Sequence, residues 1–186
     1  MVIIKVKTRH IGILFALLLV CAIGLNFYKN KMSAATNNRF ESINSSIGEF
    51  GGDNLVAFLA DTDPEGINKN IEIFDISKGE VIREVETSSV IQKEAENYLK
   101  NINGMFVKAN AIPDKGYIIR VAFEPPAKVD NKWLDGYGIN SVEQVFVIFP
   151  ENAIPYLLVL DKKNRPLFYN FEGRINDLLQ ILNFQV

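Results

Sequence analysis

The sequence predicts an α+β fold in which an N-terminal transmembrane helix precedes an antiparallel sheet packed with two helices. Three observations lead to this prediction. An uncharged apolar segment fills residues 11–28, several short apolar runs of alternating or continuous type follow, and two segments carry apolar residues at helical spacing. Strands that succeed one another without intervening helices form an antiparallel meander, and helices bury their apolar stripe against such a sheet.

The segment IGILFALLLVCAIGLNFY, residues 11–28, contains no charged residue. As a helix it would be about 27 Å long, close to the roughly 30 Å hydrocarbon core of a bilayer. Basic residues flank it, with more of them on the N-terminal side: Lys5, Lys7 and Arg9 before it, Lys29 and Lys31 after it. Because positive flanks stay in the cytoplasm, we expect a single-pass signal-anchor with residues 1–10 cytoplasmic and the C-terminal part extracytoplasmic.

Two other interpretations of this segment remain open. The small residues Ser33, Ala34 and Ala35 would suit cleavage of a signal peptide, which would release a secreted protein. Cys21 follows an apolar run as in a lipoprotein signal, but Val20 is larger than the residue such signals carry before the cysteine. The anchor interpretation predicts that residues 11–28 contact membrane lipid.

The charge of the chain is unevenly distributed. Of the 186 residues, the first 35 hold five of the 20 basic side chains and no acidic one, so residues 36–186 carry 15 basic against 22 acidic side chains, a net charge of -7. Such a surface repels phosphate backbones, and we expect no nucleic-acid partner. Cys21 is the single cysteine, which leaves the rest of the chain without a disulfide or a thiolate metal site.

Residues 29–54 are rich in Asn, Ser, Ala and Gly and are predicted to form a tether between the membrane and a domain at residues 55–186. Phe40, Ile43, Ile47 and Phe50 recur at near-helical spacing, which predicts a short amphipathic helix that ends at the glycine pair 51–52.

The first part of the predicted domain favours strands. The run LVAFLA, residues 55–60, is predicted as a short strand. Residues 71–76 and 81–87 alternate between two faces around a turn at residues 77–79, which predicts a β-hairpin.

A helix is predicted next. Ile91, Ala95, Tyr98 and Ile102 form one apolar stripe, and Ser89 with Gln92 resembles a capping box. The dipeptide at residues 103–104, Asn-Gly, is predicted to end the helix.

The remainder is predicted to be a meander and a final helix. Strands are expected at residues 105–111, 117–124, 142–149, 156–160 and 167–171. The runs VEQVFVIF at residues 142–149 and YLLVL at residues 156–160 are nearly continuous in apolar residues, which is typical of central strands buried on both faces. An irregular loop is expected at residues 127–141. Apolar residues at 175, 178, 179 and 182 predict a C-terminal amphipathic helix.

One segment resembles a calcium-binding loop. In residues 61–72, DTDPEGINKNIE, the carboxylates of Asp61, Asp63, Glu65 and Glu72 surround Gly66 in a pattern close to D-x-[DN]-x-[DN]-G-x5-E. Hard Ca²⁺ prefers such oxygen ligands. The flanks favour strands rather than the helices of an EF-hand, so the alternative is a solvated acidic turn. Ca²⁺ is the only cofactor that the sequence suggests.

Few side chains in this sequence are suited to catalysis. The single histidine, His10, precedes the apolar segment, so the domain has no imidazole for a Ser-His-Asp triad, a Cys-His pair or a histidine-ligated zinc site. A hydrolase that uses paired carboxylates is the alternative, with these acidic residues as candidates: Glu124, Asp130, Asp135, Glu143 and Glu151. Solubilising surface charge explains them better, and we expect no enzyme and no catalytic residue.

The loop at residues 127–141 carries the large aromatic residues Trp133 and Tyr137. Aromatic side chains on loops are favoured anchors of interfaces, which makes these two residues candidates for binding. The alternative is that Trp133 caps the core. Together these patterns predict a non-catalytic binding module of the cell envelope, with another envelope or membrane protein as its partner.

Overall fold

The computed structural model describes residues 8–61, 69–108 and 110–185; within residues 8–30 it describes only the side chains at positions 20, 21, 23 and 25. The chain divides into two compact units, Met1–Asn38 and Arg39–Val186. The fold of the second unit is α+β, and its sheet is antiparallel throughout, as the sequence predicts.

The described elements are four helices and seven strands. The helices are α1 (Thr8–Ala60), α2 (Ser89–Lys100), α3 (Lys132–Asp135) and α4 (Ile175–Ile181). The strands are β1 (Ile71–Asp75), β2 (Glu80–Val85), β3 (Ile102–Met105), β4 (Gly116–Lys128), β5 (Ser141–Pro150), β6 (Tyr156–Leu160) and β7 (Pro166–Phe171). They form one sheet in the order β2-β1-β4-β5-β6-β7-β3.

Helix α1 contains the predicted amphipathic segment and extends beyond it. At Gly52 the backbone leaves the helical region, with φ 66° and ψ 166°, and the helix resumes to Ala60. The prediction of a strand at residues 55–60 is therefore wrong. A run of six apolar residues has no period that separates a buried strand from a buried helix, and here packing favours the helix.

The compact unit begins before the predicted boundary at residue 55. Ile43 and Ile47, in the segment predicted to be a tether, are buried together with Leu55, Val56 and Leu59. Residues from 39 onward thus belong to the folded unit.

The segment at residues 11–28 has its backbone in α1, but most of its side chains lie outside the described residues. In the parts of the chain that the structure describes, no helix combines the length and the apolar character needed to cross a membrane.

The predicted hairpin is confirmed. Strands β1 and β2 pair antiparallel, from Ile71 opposite Val85 to Asp75 opposite Glu80. Gly79 in the turn has φ 68°, a conformation that favours glycine.

Helix α2 is also confirmed, but its predicted capping box is wrong. The N-cap is Ser88, whose side chain accepts a hydrogen bond from the backbone N–H of Ile91, and the Gln92 side chain donates to Thr87 Oγ1 at 3.4 Å. The residue three positions after this N-cap is Ile91, which has no side-chain group to complete a capping box.

The predicted end of the helix at residues 103–104 is also wrong. Helix α2 ends at Lys100, and Ile102, which the helical spacing predicts to lie on its apolar stripe, is the first residue of β3.

The strand after α2 differs from the prediction. Strand β3 begins at Ile102, directly after the helix, and pairs with β7 at the sheet edge, from Ile102 opposite Phe171 to Met105 opposite Tyr169. The strand expected at residues 105–111 is wrong beyond Met105, since residues 106–108 are irregular.

Strand β4 continues past the prolines at positions 125 and 126, which the sequence predicts to end it. Its register with β5 shifts between Ala122 and Ala127, so the prolines occupy a bulge where they need not donate a ladder hydrogen bond. The loop that follows contains the short helix α3.

Both faces of the sheet are buried. One face packs against α2 and α4 through a cluster that includes Ile119, Val147 and Leu157. The other face packs against residues 43–60 of α1 through Phe146, Ile148 and other residues. The prediction of central strands buried on both sides is confirmed, and α1 provides the additional helical layer that this burial requires.

Candidate functional site

A polar cavity lies where strands β5 and β6 separate. Their pairing ends at Phe146 opposite Leu158, whereas β6 continues to pair with β7 as far as Leu160 opposite Pro166. The start of β5 pairs on its other side with β4. The cavity has a volume of about 300 Å³, and its walls come from α1, the start of β5 and the β6–β7 turn. Its polar lining residues include Arg39, Ser141, Glu143, Gln144, Asp161 and Asn164.

Gln144 is the most unusual residue of this cavity. Its side chain is buried, with the residue only 5 % exposed, and strand alternation places it on the sheet face covered by α1. Among the residues that the structure describes, neither Nε2 nor Oε1 has a hydrogen-bond partner. A buried polar group without a partner costs about 1–3 kcal/mol, so this amide favours a partner that the described residues do not supply.

Arg39 extends from α1 into the same cavity. Its side chain is 16 % exposed; Nε donates to Asn164 Oδ1 at 2.9 Å, and Nη2 lies 3.9 Å from Glu143 Oε2. Nη1 is buried and has no hydrogen-bond partner in the described part of the chain. Burial lowers the pKa of Arg39, and the nearby Glu143 charge opposes this by raising it. The cavity therefore contains a partly desolvated cation with donor capacity to spare.

The β6–β7 turn that carries Asn164 is held by Asp161. The Asp161 carboxylate accepts hydrogen bonds from the backbone N–H groups of Lys163 at 2.8 Å and Arg165 at 2.9 Å, and from Arg165 Nε at 2.7 Å. Burial opposes ionisation of this carboxyl, but these hydrogen bonds and the Arg165 charge outweigh burial and hold its pKa below the ordinary value. The turn is also tied to α1, since Ser42 Oγ donates to Lys163 O at 2.8 Å.

A second polar cluster surrounds Arg120, on the same face of the sheet. Its side chain is fully buried and forms an ion pair with the buried Glu72. Its guanidinium also lies 3.7 Å from Asp61 Oδ2, 3.5 Å from Phe58 O and 5.3 Å from the Phe58 ring centroid. Arg120 thus joins the end of α1 to the sheet.

The predicted calcium loop is described only at its ends. Asp63 and Glu65 lie outside the described residues, while Asp61 and Glu72 both face Arg120. Within the described ranges, no three His, Cys, Asp or Glu side chains are grouped as metal ligands. A guanidinium between two carboxylates takes the place that a cation would need, and calcium binding stays a prediction.

Trp133 and Tyr137 lie at α3 and in the turn that follows it. Trp133 is partly buried and packs against the cluster beneath α2 and α4, with Lys132 Nζ 5.5 Å from its ring centroid. Tyr137 is 46 % exposed. Trp133 therefore contacts the core, whereas the Tyr137 side chain is available to a partner. Their role in binding stays a prediction.

The five acidic residues considered for a hydrolase are all exposed, and they lie on strand, loop and helix positions along residues 124–151. Glu124 pairs with Lys69 at 2.7 Å, and Glu143 faces Arg39 across the cavity.

Arg39, Arg120 and Gln144 are site residues that the sequence patterns do not predict. The sequence does contain a signal for Arg120 and Gln144. Each is a polar residue inside a run of apolar residues, Arg120 in YIIRVAF and Gln144 in VEQVFVIF. In a strand buried on both faces, such a residue must find an internal partner or a ligand. Arg39 carries no comparable signal, because it precedes the apolar stripe of α1.

Comparison of the chain with protein-family models, with curated proteins and with solved structures finds no significant match.

Proposed function

We propose that this chain is a membrane-tethered binding protein whose folded unit, from Arg39 onward, recognises a small polar ligand or a polar end of a partner molecule. The recognition site is the cavity between β5 and β6, which we call the fork cavity. One observation carries the proposal: the Gln144 amide is buried on the cavity wall with no partner for either polar atom among the described residues.

The properties of the cavity support this proposal. Its volume of about 300 Å³ lies at the lower end of the range for small-molecule sites. Arg39 adds a buried, unpartnered N–H group from a different element. A ligand that bonds to both side chains gives partners to these buried polar atoms.

For localisation we propose the arrangement that the apolar segment predicts. Residues 11–28 hold the chain in a cell membrane, the N-terminus is cytoplasmic and the folded unit is extracytoplasmic. The partner would then be a solute of that compartment or another envelope or membrane protein, and nucleic acid is disfavoured by the acidic charge of residues 36–186. The alternative is secretion after cleavage near Ala35.

Binding can be tested by thermal unfolding of the full chain in detergent micelles against a set of polar compounds: amino acids, dicarboxylates, sugars, nucleosides and short peptides. We expect at least one class to raise the Tm of the wild-type protein, because a ligand that binds only the native state stabilises it. The same class should leave the Tm of Gln144→Leu unchanged.

The matched control is Gln180→Leu, which makes the same chemical change on the exposed face of α4. It should respond as the wild type does. A set of compounds that shifts no Tm, or that stabilises Gln144→Leu equally, contradicts the proposed function. Localisation is checked separately by protease accessibility of the folded unit in intact cells together with sequencing of the mature N-terminus.

A further inference from the structure

We propose that the fork cavity binds a carboxylate that carries an N–H group on the adjacent carbon. A free amino acid and the C-terminal residue of a peptide share this chemistry. The inference rests on the binding function proposed above and specifies its ligand.

The hydrogen-bond balance of the cavity indicates this chemistry. Three buried polar atoms lack a partner among the described residues: Arg39 Nη1 and Gln144 Nε2, which donate, and Gln144 Oε1, which accepts. A carboxylate offers two acceptor oxygens to the two donors. An amino or amide N–H beside that carboxylate offers the donor that Oε1 needs.

The charges of the cavity favour a singly charged carboxylate over a phosphate. Arg39 and Lys162 are balanced by Glu143 and Asp161 among the lining residues. Asp161 is already saturated with donors from the turn, so its negative charge persists beside any ligand. Both acids repel a phosphate dianion about twice as strongly as they repel a singly charged carboxylate, and a carboxylate still gains a charge-assisted hydrogen bond from Arg39.

Glu143 does not prevent a ligand carboxylate from binding to Arg39. It is exposed, and its 3.9 Å separation from Arg39 Nη2 exceeds hydrogen-bond length, so a ligand oxygen can approach the guanidinium more closely. Three apolar residues, Ile139, Val142 and Leu160, also line the cavity and suit an aliphatic ligand side chain.

The test is calorimetric titration of the full chain in detergent micelles with a matched set of leucine compounds. L-leucine has both groups as a free amino acid, and N-acetyl-L-leucine presents them as a peptide C-terminus does. 4-Methylpentanoate lacks the N–H donor, and N-acetyl-L-leucinamide lacks the carboxylate. We expect L-leucine or N-acetyl-L-leucine to bind at least tenfold more tightly than the other two compounds and than inorganic phosphate.

The order of the first two compounds identifies the source. Tighter binding of L-leucine indicates a free amino acid, and tighter binding of N-acetyl-L-leucine indicates a peptide terminus. Either order supports the proposal.

Two variants tie the binding to the cavity. Arg39→Gln should abolish the preference for the carboxylate over the amide, and Gln144→Leu should abolish the preference for L-leucine or N-acetyl-L-leucine over 4-methylpentanoate. The control Arg174→Gln changes an exposed arginine that pairs with Asp177 at 3.3 Å, and it should bind as the wild type does. Cooperative urea unfolding of each variant shows that it is folded.

Equal affinity for all four leucine compounds, or tighter binding of phosphate, overturns this ligand assignment. The assignment is also wrong if none of the four binds while another compound stabilises the wild type but not Gln144→Leu, and in that case the proposed binding function stands. If no compound of any class acts through Gln144, both fail together.

Discussion

At the scale of single residues, Arg120 shows how one buried charge connects two parts of the core. Its guanidinium contacts the buried carboxylate of Glu72 and the backbone oxygens of Phe58 and Asp61, at the end of α1. Carbonyl groups at a helix C-terminus lack intrahelical partners, and a cation there is favourable. The same guanidinium therefore neutralises the Glu72 carboxylate on β1 and binds backbone oxygens at the C-terminal end of α1.

Replacing Arg120 should be costly. In Arg120→Met the carboxylate of Glu72 loses its buried cation, and removal of one partner of a buried ion pair costs about 3–5 kcal/mol. We expect a loss of that size in the free energy of unfolding, measured by urea denaturation. The double variant Arg120→Met/Glu72→Met should lose less than the sum of the two single variants.

The control for this prediction is Lys69→Met. It removes the Lys69–Glu124 pair, whose side chains are 66 % and 63 % exposed, and exposed pairs contribute at most about 1 kcal/mol. If Arg120→Met cost no more than Lys69→Met, the buried pair would not stabilise the fold.

Asp161 makes stability depend on pH in a defined direction. Its native pKa lies below the ordinary value of 3.8, so the folded state binds the proton less readily than the unfolded state. The resulting stabilisation is present above about pH 3.8 and is lost as the pH falls through the native pKa. Asp161→Asn should reduce the free energy of unfolding at pH 7 by about 1–3 kcal/mol, because hydrogen bonds to a charged acceptor are lost.

The measurement is urea denaturation of the wild type and Asp161→Asn between pH 2.5 and pH 7. The difference between the two proteins should shrink as the pH falls below about 3.8. The exposed Asp135→Asn serves as the control and should differ little from the wild type at any pH. A difference that stays constant over this range would contradict the role assigned to the Asp161 charge.

At the scale of elements, the sequence correctly predicts the helices and strands whose hydrophobic pattern is uninterrupted. The hairpin of β1 and β2, helix α2 and the strands β5 and β6 lie where the alternating, helical and continuous apolar patterns place them. The hairpin and helix α2 are confirmed because an alternating pattern and a helical pattern each match one geometry that buries the apolar side chains.

The elements predicted wrongly lack such a pattern. The segment after Gly52 is a short apolar run that could be strand or helix, and its helical state is fixed by packing against the sheet through Val56 and Leu59. Strand β3 contains Asn103 and Gly104, residues that favour a turn, and it exists because β7 offers an edge for pairing. Tertiary contacts, absent from local sequence, decide both cases.

The candidate site is less predictable from the sequence than the helices and strands, because it too depends on tertiary contacts. The fork cavity exists because the pairing of β5 with β6 ends at Phe146, and no local pattern specifies where two strands separate. The sequence shows Gln144 as a polar residue in an apolar strand. Arg39, however, lines the same cavity only because α1 packs on the sheet.

At the scale of the whole molecule, the two-sided core determines where the folded unit begins. Residues 43–60 of α1 cover the sheet face formed by Phe74, Ile118, Phe146 and other apolar side chains. A chain that starts at residue 55 would expose part of this face to water. Burial contributes about 25 cal/mol per Å² of apolar surface, and a typical domain is stable by only about 5–15 kcal/mol, so the loss of the part of this layer before residue 55 is a large destabilisation.

We therefore expect a fragment of residues 39–186 to unfold cooperatively in urea and to give the near-UV circular dichroism spectrum of a folded protein. A fragment of residues 55–186 should lack both properties.

Because a truncated chain can aggregate for other reasons, Ile43→Ala in the full chain provides a second measurement. Ile43 is fully buried, and its truncation should cost about 2–5 kcal/mol, while Ser46→Ala on the exposed side of the same helix should cost less than about 1 kcal/mol. A cooperative fragment 55–186, or equal stability of these two variants, would show that the segment before Gly52 is a tether after all.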